Sequence, residues 1–255
     1  MTRSDPRTWP MPQLLAHRSW VRRQQPFPHV VAEDVFTPTF YRALAEHYRR
    51  ISTYEFRATM AGYDATAARI RDHLDGPLAV FATREWHDLI AGVAGVQATG
   101  DVTAALHHHE PGGEPGWPHN DLNPGWFGGP EPESDEIRLE GVDGVDYYRG
   151  DRPTGVTARE TVRAVSVMFY LANPPWSPGD GGETGLYPSF DEGVQGTGRL
   201  VPPVNNSLVM FECTPFTWHS YAGRSRNPRN CVVMWLHRPK HDAIERWGEA
   251  SIANW

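Results

Sequence analysis

Polar and apolar positions divide the chain near residue 100. Before that point apolar residues recur every three or four positions, the period of a helix with one buried face. Tyr41, Leu44, Ala45, Tyr48 and Ile51 form one such stripe. Thr37-Pro38 opens it with a capping side chain and a pre-set first turn. A second, short helix is expected from Asp64 to about Leu74, stopped by Gly76-Pro77. A third is expected over roughly 78–93, burying Phe81, Trp86, Leu89, Ile90 and Val93. Beyond Gly100 the pattern changes to short β-branched and aromatic runs bounded by Gly, Pro and Asn, which predict strands. These are Val102–His109, Arg163–Leu171, Gly185–Tyr187, Ser207–Glu212 and Asn230–His237. Helices first and strands afterwards imply a mainly β protein, with helices packed outside an antiparallel sheet assembly. No internal repeat is visible.

One stretch fits neither period. From Asn123 to about Arg159 the chain is rich in Gly, Pro and acids, with Trp126, Phe127, Tyr147 and Tyr148 scattered through it. A long loop over 125–160 is expected, and its aromatic content suits a lid over a binding site. The whole chain of 255 residues then reads as one domain. It has a helical leader over 1–100, a β core over 101–240 and a C-terminal tail over 241–255.

Composition narrows the class of function. The formal net charge is −7, so a nucleic-acid partner is not expected. No apolar run approaches the roughly 18 residues that span a bilayer. The opening MTRSDPRTWPMPQLL lacks the apolar stretch of a secretory signal, so no membrane partner and a cytoplasmic location are expected. The only cysteines, Cys213 and Cys231, read as buried free thiols rather than a disulfide or zinc framework. Lys240 is the only lysine against 23 arginines, a bias that suits a GC-rich bacterial genome. Oligomeric state is not legible.

The candidate chemistry starts at Trp117-Pro118-His119-Asn120-Asp121, which contains His-x-Asp. In an extended segment residues i and i+2 face the same way, so an imidazole and a carboxylate can meet one ion. His73-Leu74-Asp75 has the same spacing but falls in an expected helix, where such residues point apart. His219, just beyond the strand Ser207–Glu212, is a third candidate ligand. Two His and one carboxylate leave coordination positions open, the arrangement of non-haem Fe(II) enzymes. Zinc also accepts these donors, although its sites usually close to four ligands. His108 and Glu110, in His107-His108-His109-Glu110, form a competing pair. His47 and His87 lie in helical stretches and read as structural.

These pieces recur in order in a known family. His119-Asn120-Asp121 followed by Leu122-Asn123-Pro124 comes first, then Phe169-Tyr170-Leu171-Ala172-Asn173, Trp176, Gly181-Gly182 and Leu186-Tyr187-Pro188. Pro202-Pro203, Ser207-Leu208-Val209-Met210-Phe211 and His219 follow, and Arg229-Asn230-Cys231-Val232-Val233-Met234-Trp235 closes the series. Together they resemble the prolyl-hydroxylase-like branch of the 2-oxoglutarate/Fe(II)-dependent oxygenases. The helical leader around Pro26-Phe27-Pro28-His29 resembles it loosely.

The resemblance implies a double-stranded β-helix, a jelly-roll or cupin-like barrel with flanking N-terminal helices. It also implies Fe(II) as cofactor on His119, Asp121 and His219, with 2-oxoglutarate and O2 as co-substrates. Arg229 is implied as the partner of the C5 carboxylate of 2-oxoglutarate, a role suited to a bidentate guanidinium, and Tyr170 as its hydroxyl partner. Two departures stand out. His109-Glu110 replaces a tyrosine of many relatives, and Val233 replaces a threonine or serine, which leaves Arg229 and Tyr170 to hold the C5 end. Related halogenases carry a small residue where Asp121 stands, so hydroxylation of an unactivated C–H is expected. A small-molecule substrate, such as an amino acid or a natural-product intermediate, is expected first. Peptidyl-prolyl hydroxylation of a protein partner and a non-redox metal-binding barrel are the alternatives.

Overall fold

The structure, a computed structural model, describes residues 10–52, 55–59 and 64–253. The opening nine residues of the leader, read above for a secretory signal, lie outside them. Thirteen strands are described: β1 (Val21–Arg23), β2 (His29–Ala32), β3 (Arg57–Ala58), β4 (Thr66–Arg69), β5 (Asp101–His109), β6 (Pro124–Gly128), β7 (Arg138–Leu139), β8 (Ala158–Tyr170), β9 (Thr184–Tyr187), β10 (Arg199–Val201), β11 (Ser207–Glu212), β12 (Trp218–Tyr221) and β13 (Arg229–Pro239). The α-helices are α1 (Met11–Leu14), α2 (Pro38–Ser52), α3 (Arg84–Ala94), α4 (Phe190–Val194) and α5 (Lys240–Trp247).

A large sheet runs in the order β1-β2-β11-β8-β13-β5-β4-β3, with β6 added to β8 and β7 to β5. A small sheet runs β10-β9-β12. Every pairing is antiparallel except β5 with β7.

Strand alternation sorts the large sheet's side chains into two cores. On the outer face Phe36, Phe81, Trp86 and Phe169 pack with Leu44, Leu106, Met210 and Val232, seating α2 and α3 against the sheet. On the inner face Phe27, Met168, Tyr170, Leu186, Val209, Phe211, Cys231 and Val233 fill the space between the sheets. The expected stripe over 41–51 is largely the buried face of α2, although Tyr41 is only half-buried.

Three expectations need correction. The helix expected from Asp64 to Leu74 is strand β4 followed by a single 3-10 turn at Ile70–Asp72. The open edge of β5 offers Thr66–Arg69 a ladder, and pairing overrides local helical preference. The helix expected over 78–93 is two elements, a 3-10 turn at Pro77–Ala82 and α3, because Thr83 caps a new start by accepting from the Trp86 amide.

The expected loop over 125–160 is the third. It carries β6 and β7, and β6 extends the sheet alongside the start of β8. Phe127 and Tyr147 are buried around His237, and only Tyr148 among its four aromatics is strongly exposed. Gly125 makes this packing possible, since a Cβ there would sit 2.4 Å from the Tyr147 ring. Both cysteines are free and buried, as expected.

Candidate active site

His119 and His219 face each other across an isolated antiparallel bridge, each amide donating to the other's carbonyl at 3.0 and 2.8 Å. Directly opposed residues project to the same side, and the two rings lie 4.3 Å apart. Each Nδ1 sits against a backbone carbonyl, that of Trp117 at 2.9 Å and that of Thr217 at 3.1 Å. A carbonyl can only accept, so Nδ1 carries the proton and Nε2 presents its lone pair.

Asp121 reaches these nitrogens differently from the extended pair expected. Its backbone is left-handed, with φ of 58°, a conformation that Asp tolerates better than most residues. Its carboxylate lies 3.9 Å from His119 Nε2 and 3.3 Å from His219 Nε2. One ligand atom from each of the three falls within 4.8 Å of the others, and among the described residues no other such trio occurs.

Three donors hold the carboxylate from behind. Arg163 Nη1 donates to Oδ1 at 2.9 Å, while Ser166 Oγ and Trp235 Nε1 donate to Oδ2 at 3.1 and 2.7 Å. The Arg163 guanidinium stacks 3.9 Å over the Trp235 ring, and its Nε donates to the Tyr147 hydroxyl. Burial pushes the Asp121 carboxyl up, but His219, Arg163 and His119 hold it well below the ordinary range. Burial, then His219, lowers His119 to about 4. The trio therefore presents the His119 and His219 imidazoles and the Asp121 carboxylate, a donor set that suits an Fe(II) ion.

The competing pair does meet: His108 Nε2 lies 3.2 Å from Glu110. Its other nitrogen is bonded to Asn230 Oδ1 at 2.7 Å, and no third ligand joins it among the described residues. His73 and Asp75 diverge, His73 toward Glu55 and Asp75 toward His47. His87 is structural, bonded to Asp88 and to the Thr99 carbonyl.

Arg229 opens β13 and is 4% exposed, far from the surface arginine it resembles in sequence. Its guanidinium lies 5.2 Å from the Tyr170 ring and 5.3 Å from the Tyr221 ring. Its Nη2 donates to Thr184 Oγ1 at 2.9 Å, and that oxygen is 2.6 Å from the Tyr170 hydroxyl. Sequence reasoning missed Thr184, which stands two residues after the Gly181-Gly182 motif. At the two departures, His109 stacks on Tyr221 at 4.1 Å and Glu110 is exposed. His107, on the same face of β5, is lowered to about 4 by burial and by Arg229 and Arg163.

Comparison with known proteins supplies the class. Residues 143–237 match the family model described as the 2OG-Fe(II) oxygenase superfamily. No curated protein sequence matches the chain. Among solved structures, a prolyl-4-hydroxylase from Pseudomonas putida is similar with a TM-score of 0.55 at 18% identity, covering 82% of this chain and 92% of that one. A prolyl hydroxylase from Trichoplax adhaerens, solved with a hypoxia-inducible-factor peptide, gives 0.55 at 16% identity and covers 82% of each chain. The 2-oxoglutarate-dependent epimerase SnoN of nogalamycin biosynthesis gives 0.51 at 13% identity, covering 83% of this chain and 77% of that one. The family match thus covers part of the β core, and the fold of the chain is similar to that of these solved structures. The His119-Asp121-His219 trio is a donor set that could hold the iron for which the matched family is described. Among the described residues no helix is long and apolar enough to cross a membrane.

Proposed function

We propose that His119, Asp121 and His219 hold the iron, that Arg229, Tyr170 and Thr184 hold the C5 carboxylate of 2-oxoglutarate, and that the enzyme hydroxylates a small molecule. The observation that carries this reading is the convergence of two imidazoles and one carboxylate, with one ligand atom from each within 4.8 Å of the others. When bound, iron and 2-oxoglutarate supply an O2-dependent oxidation of a C–H bond, with succinate and CO2 released. The chain's own residues position and shield. Ser166, Trp235 and Arg163 fix the Asp121 carboxylate, and the two backbone carbonyls fix the imidazoles. A buried guanidinium ringed by Tyr170, Tyr221 and Thr184 suits a carboxylate that must leave water. The small-molecule reading draws support from the folded 125–160 segment. Its Tyr147 hydroxyl meets both Arg163 and His237, which ties the segment to the strands that support Asp121.

Anaerobic addition of Fe(II) and 2-oxoglutarate tests the assignment through the weak visible charge-transfer band. The band is expected in wild type, lost in His219→Ala and weakened in Arg229→Ala. Wild type without the band would overturn the ligand set. Succinate release stimulated by proline-containing peptides, and by no small acid or amine, would replace the small-molecule reading.

A further inference from the structure

The Asp121 carboxylate ends a buried chain of polar groups that begins in the 125–160 segment. Thr161 Oγ1 donates to the Gly125 carbonyl at 2.9 Å, so its oxygen accepts from His237 Nδ1, 3.0 Å away. Burial, then Arg163 and Arg159, hold His237 well below its ordinary pKa, so the ring is neutral. With its proton on Nδ1, Nε2 is an acceptor. It faces the Tyr147 hydroxyl at 3.3 Å and the Thr103 hydroxyl at 3.2 Å. The Tyr147 oxygen accepts in turn from Arg163 Nε at 3.3 Å, and Arg163 Nη1 donates to Asp121 Oδ1 at 2.9 Å. Both ends of the segment's share in this chain are fastened together, since the Trp126 amide donates to the Tyr147 carbonyl at 2.8 Å.

Arg163 is the joint. Its guanidinium is stacked 3.9 Å over Trp235 and held at two edges, by Asp121 on one and by Tyr147 on the other. The stack restrains movement toward or away from the indole but leaves the guanidinium free to slide and turn across it. The Tyr147 hydroxyl removes that freedom. Asp121, Tyr147, Thr161, Arg163 and His237 are all buried. In such surroundings linked hydrogen bonds strengthen one another, and a member left without its partner is costly. Opening the segment would strip Arg163 Nε of its acceptor and loosen its hold on Asp121.

We infer that Tyr147 is a positioning residue for Asp121: through Arg163 it couples the folding of residues 125–160 to the aim of the carboxylate. The inference rests on the reading of His119, Asp121 and His219 as metal ligands. Such coupling is reciprocal, so whatever factor the closed segment adds to metal affinity, bound metal adds to closure of the segment. Phe127 shares the neighbourhood without the chemistry. It packs 4.9 Å from the His237 ring and 5.7 Å from Tyr147, with no polar atom to pass a bond on.

The test follows backbone hydrogen exchange of the full-length protein, with and without saturating Mn(II) under anaerobic conditions. Wild type, Tyr147→Phe and Phe127→Leu are compared, and exchange over 125–150 is set against that of α2, which packs on the outer face of the large sheet. In wild type Mn(II) should slow exchange over 125–150 by a larger factor than over α2. Tyr147→Phe keeps the ring, so the segment should stay folded. It should lose the excess protection, however, and bind Mn(II) roughly three- to tenfold more weakly. Phe127→Leu should exchange faster over the segment with or without metal, yet keep the excess. Wild type that binds no Mn(II) would overturn the ligand reading and this inference with it. Wild type that binds Mn(II) without the excess, or Tyr147→Phe that retains it, would overturn the coupling and leave the ligands standing. Loss of the excess in Phe127→Leu as well would reduce Tyr147 to a packing residue.

Discussion

At the scale of single residues, the convergence of His119, Asp121 and His219 was legible because their pattern carries chemistry, and the supports of Asp121 were not. Ser166, Trp235 and Arg163 converge on Asp121 from β8 and β13, more than forty positions along the chain, and nothing local marks them. Thr184 is hidden in the same way: only the fold sets its hydroxyl between Arg229 and Tyr170. Thr184 thus joins the pair as a third polar side chain, bonded to both. The geometry of Asp121 was also illegible, since a left-handed φ at an Asp leaves no sequence mark. These supports make a measurable claim. Trp235→Phe keeps the ring under Arg163 but removes the 2.7 Å bond to Asp121 Oδ2. It should weaken anaerobic Fe(II) or Mn(II) binding roughly tenfold, the lower end of what losing an outer partner costs, with thermal unfolding little changed. Unaltered metal affinity would mean that Ser166 and Arg163 suffice to orient the carboxylate.

At the scale of elements, strands were easier to read than helices. The core strands match their expected spans closely because each is an unbroken apolar run bounded by turn formers. The segment Thr66–Arg69 was misread because its alanines and arginines favour a helix locally, whereas a strand edge decides their fate. The 125–160 segment was misread because its glycines serve close packing rather than flexibility. Gly125→Ala drives a Cβ into the Tyr147 ring, and overpacking of this kind costs about 1–3 kcal/mol. A lower urea midpoint and faster proteolysis within 125–160 are expected. Gly92→Ala is the counterpart: it lies exposed within α3 with nothing within 4 Å of the new Cβ. It should stabilise by about 0.5–1 kcal/mol. Equal effects from the two substitutions would show that the packing at Gly125 relaxes freely.

At the scale of the whole molecule, burial of neutral histidines sets how the fold responds to acid. His29, His107, His109 and His237 are all lowered chiefly by burial, His107 to about 4 and His237 well below its ordinary value. An unfolded chain protonates each near pH 6.5, so between about pH 6.5 and 4 the unfolded state binds more protons than the folded one. Stability therefore falls as the pH drops through that window. Glu140 acts in the opposite sense. Burial raises it to about 7, so the folded state holds its proton where the unfolded chain has lost it, and its contribution weakens as pH rises from about 4.5 to 7. His47 and His119 are lowered in the same way, so six histidines against one carboxyl give a net loss toward acid. Urea midpoints of the metal-free protein should be lower at pH 5 than at pH 7, and Glu140→Gln should steepen the difference by removing the opposing group. A midpoint that rises toward pH 5 would mean that the interior histidines are charged in the folded state, against the burial and the neighbouring arginines that favour their neutral form.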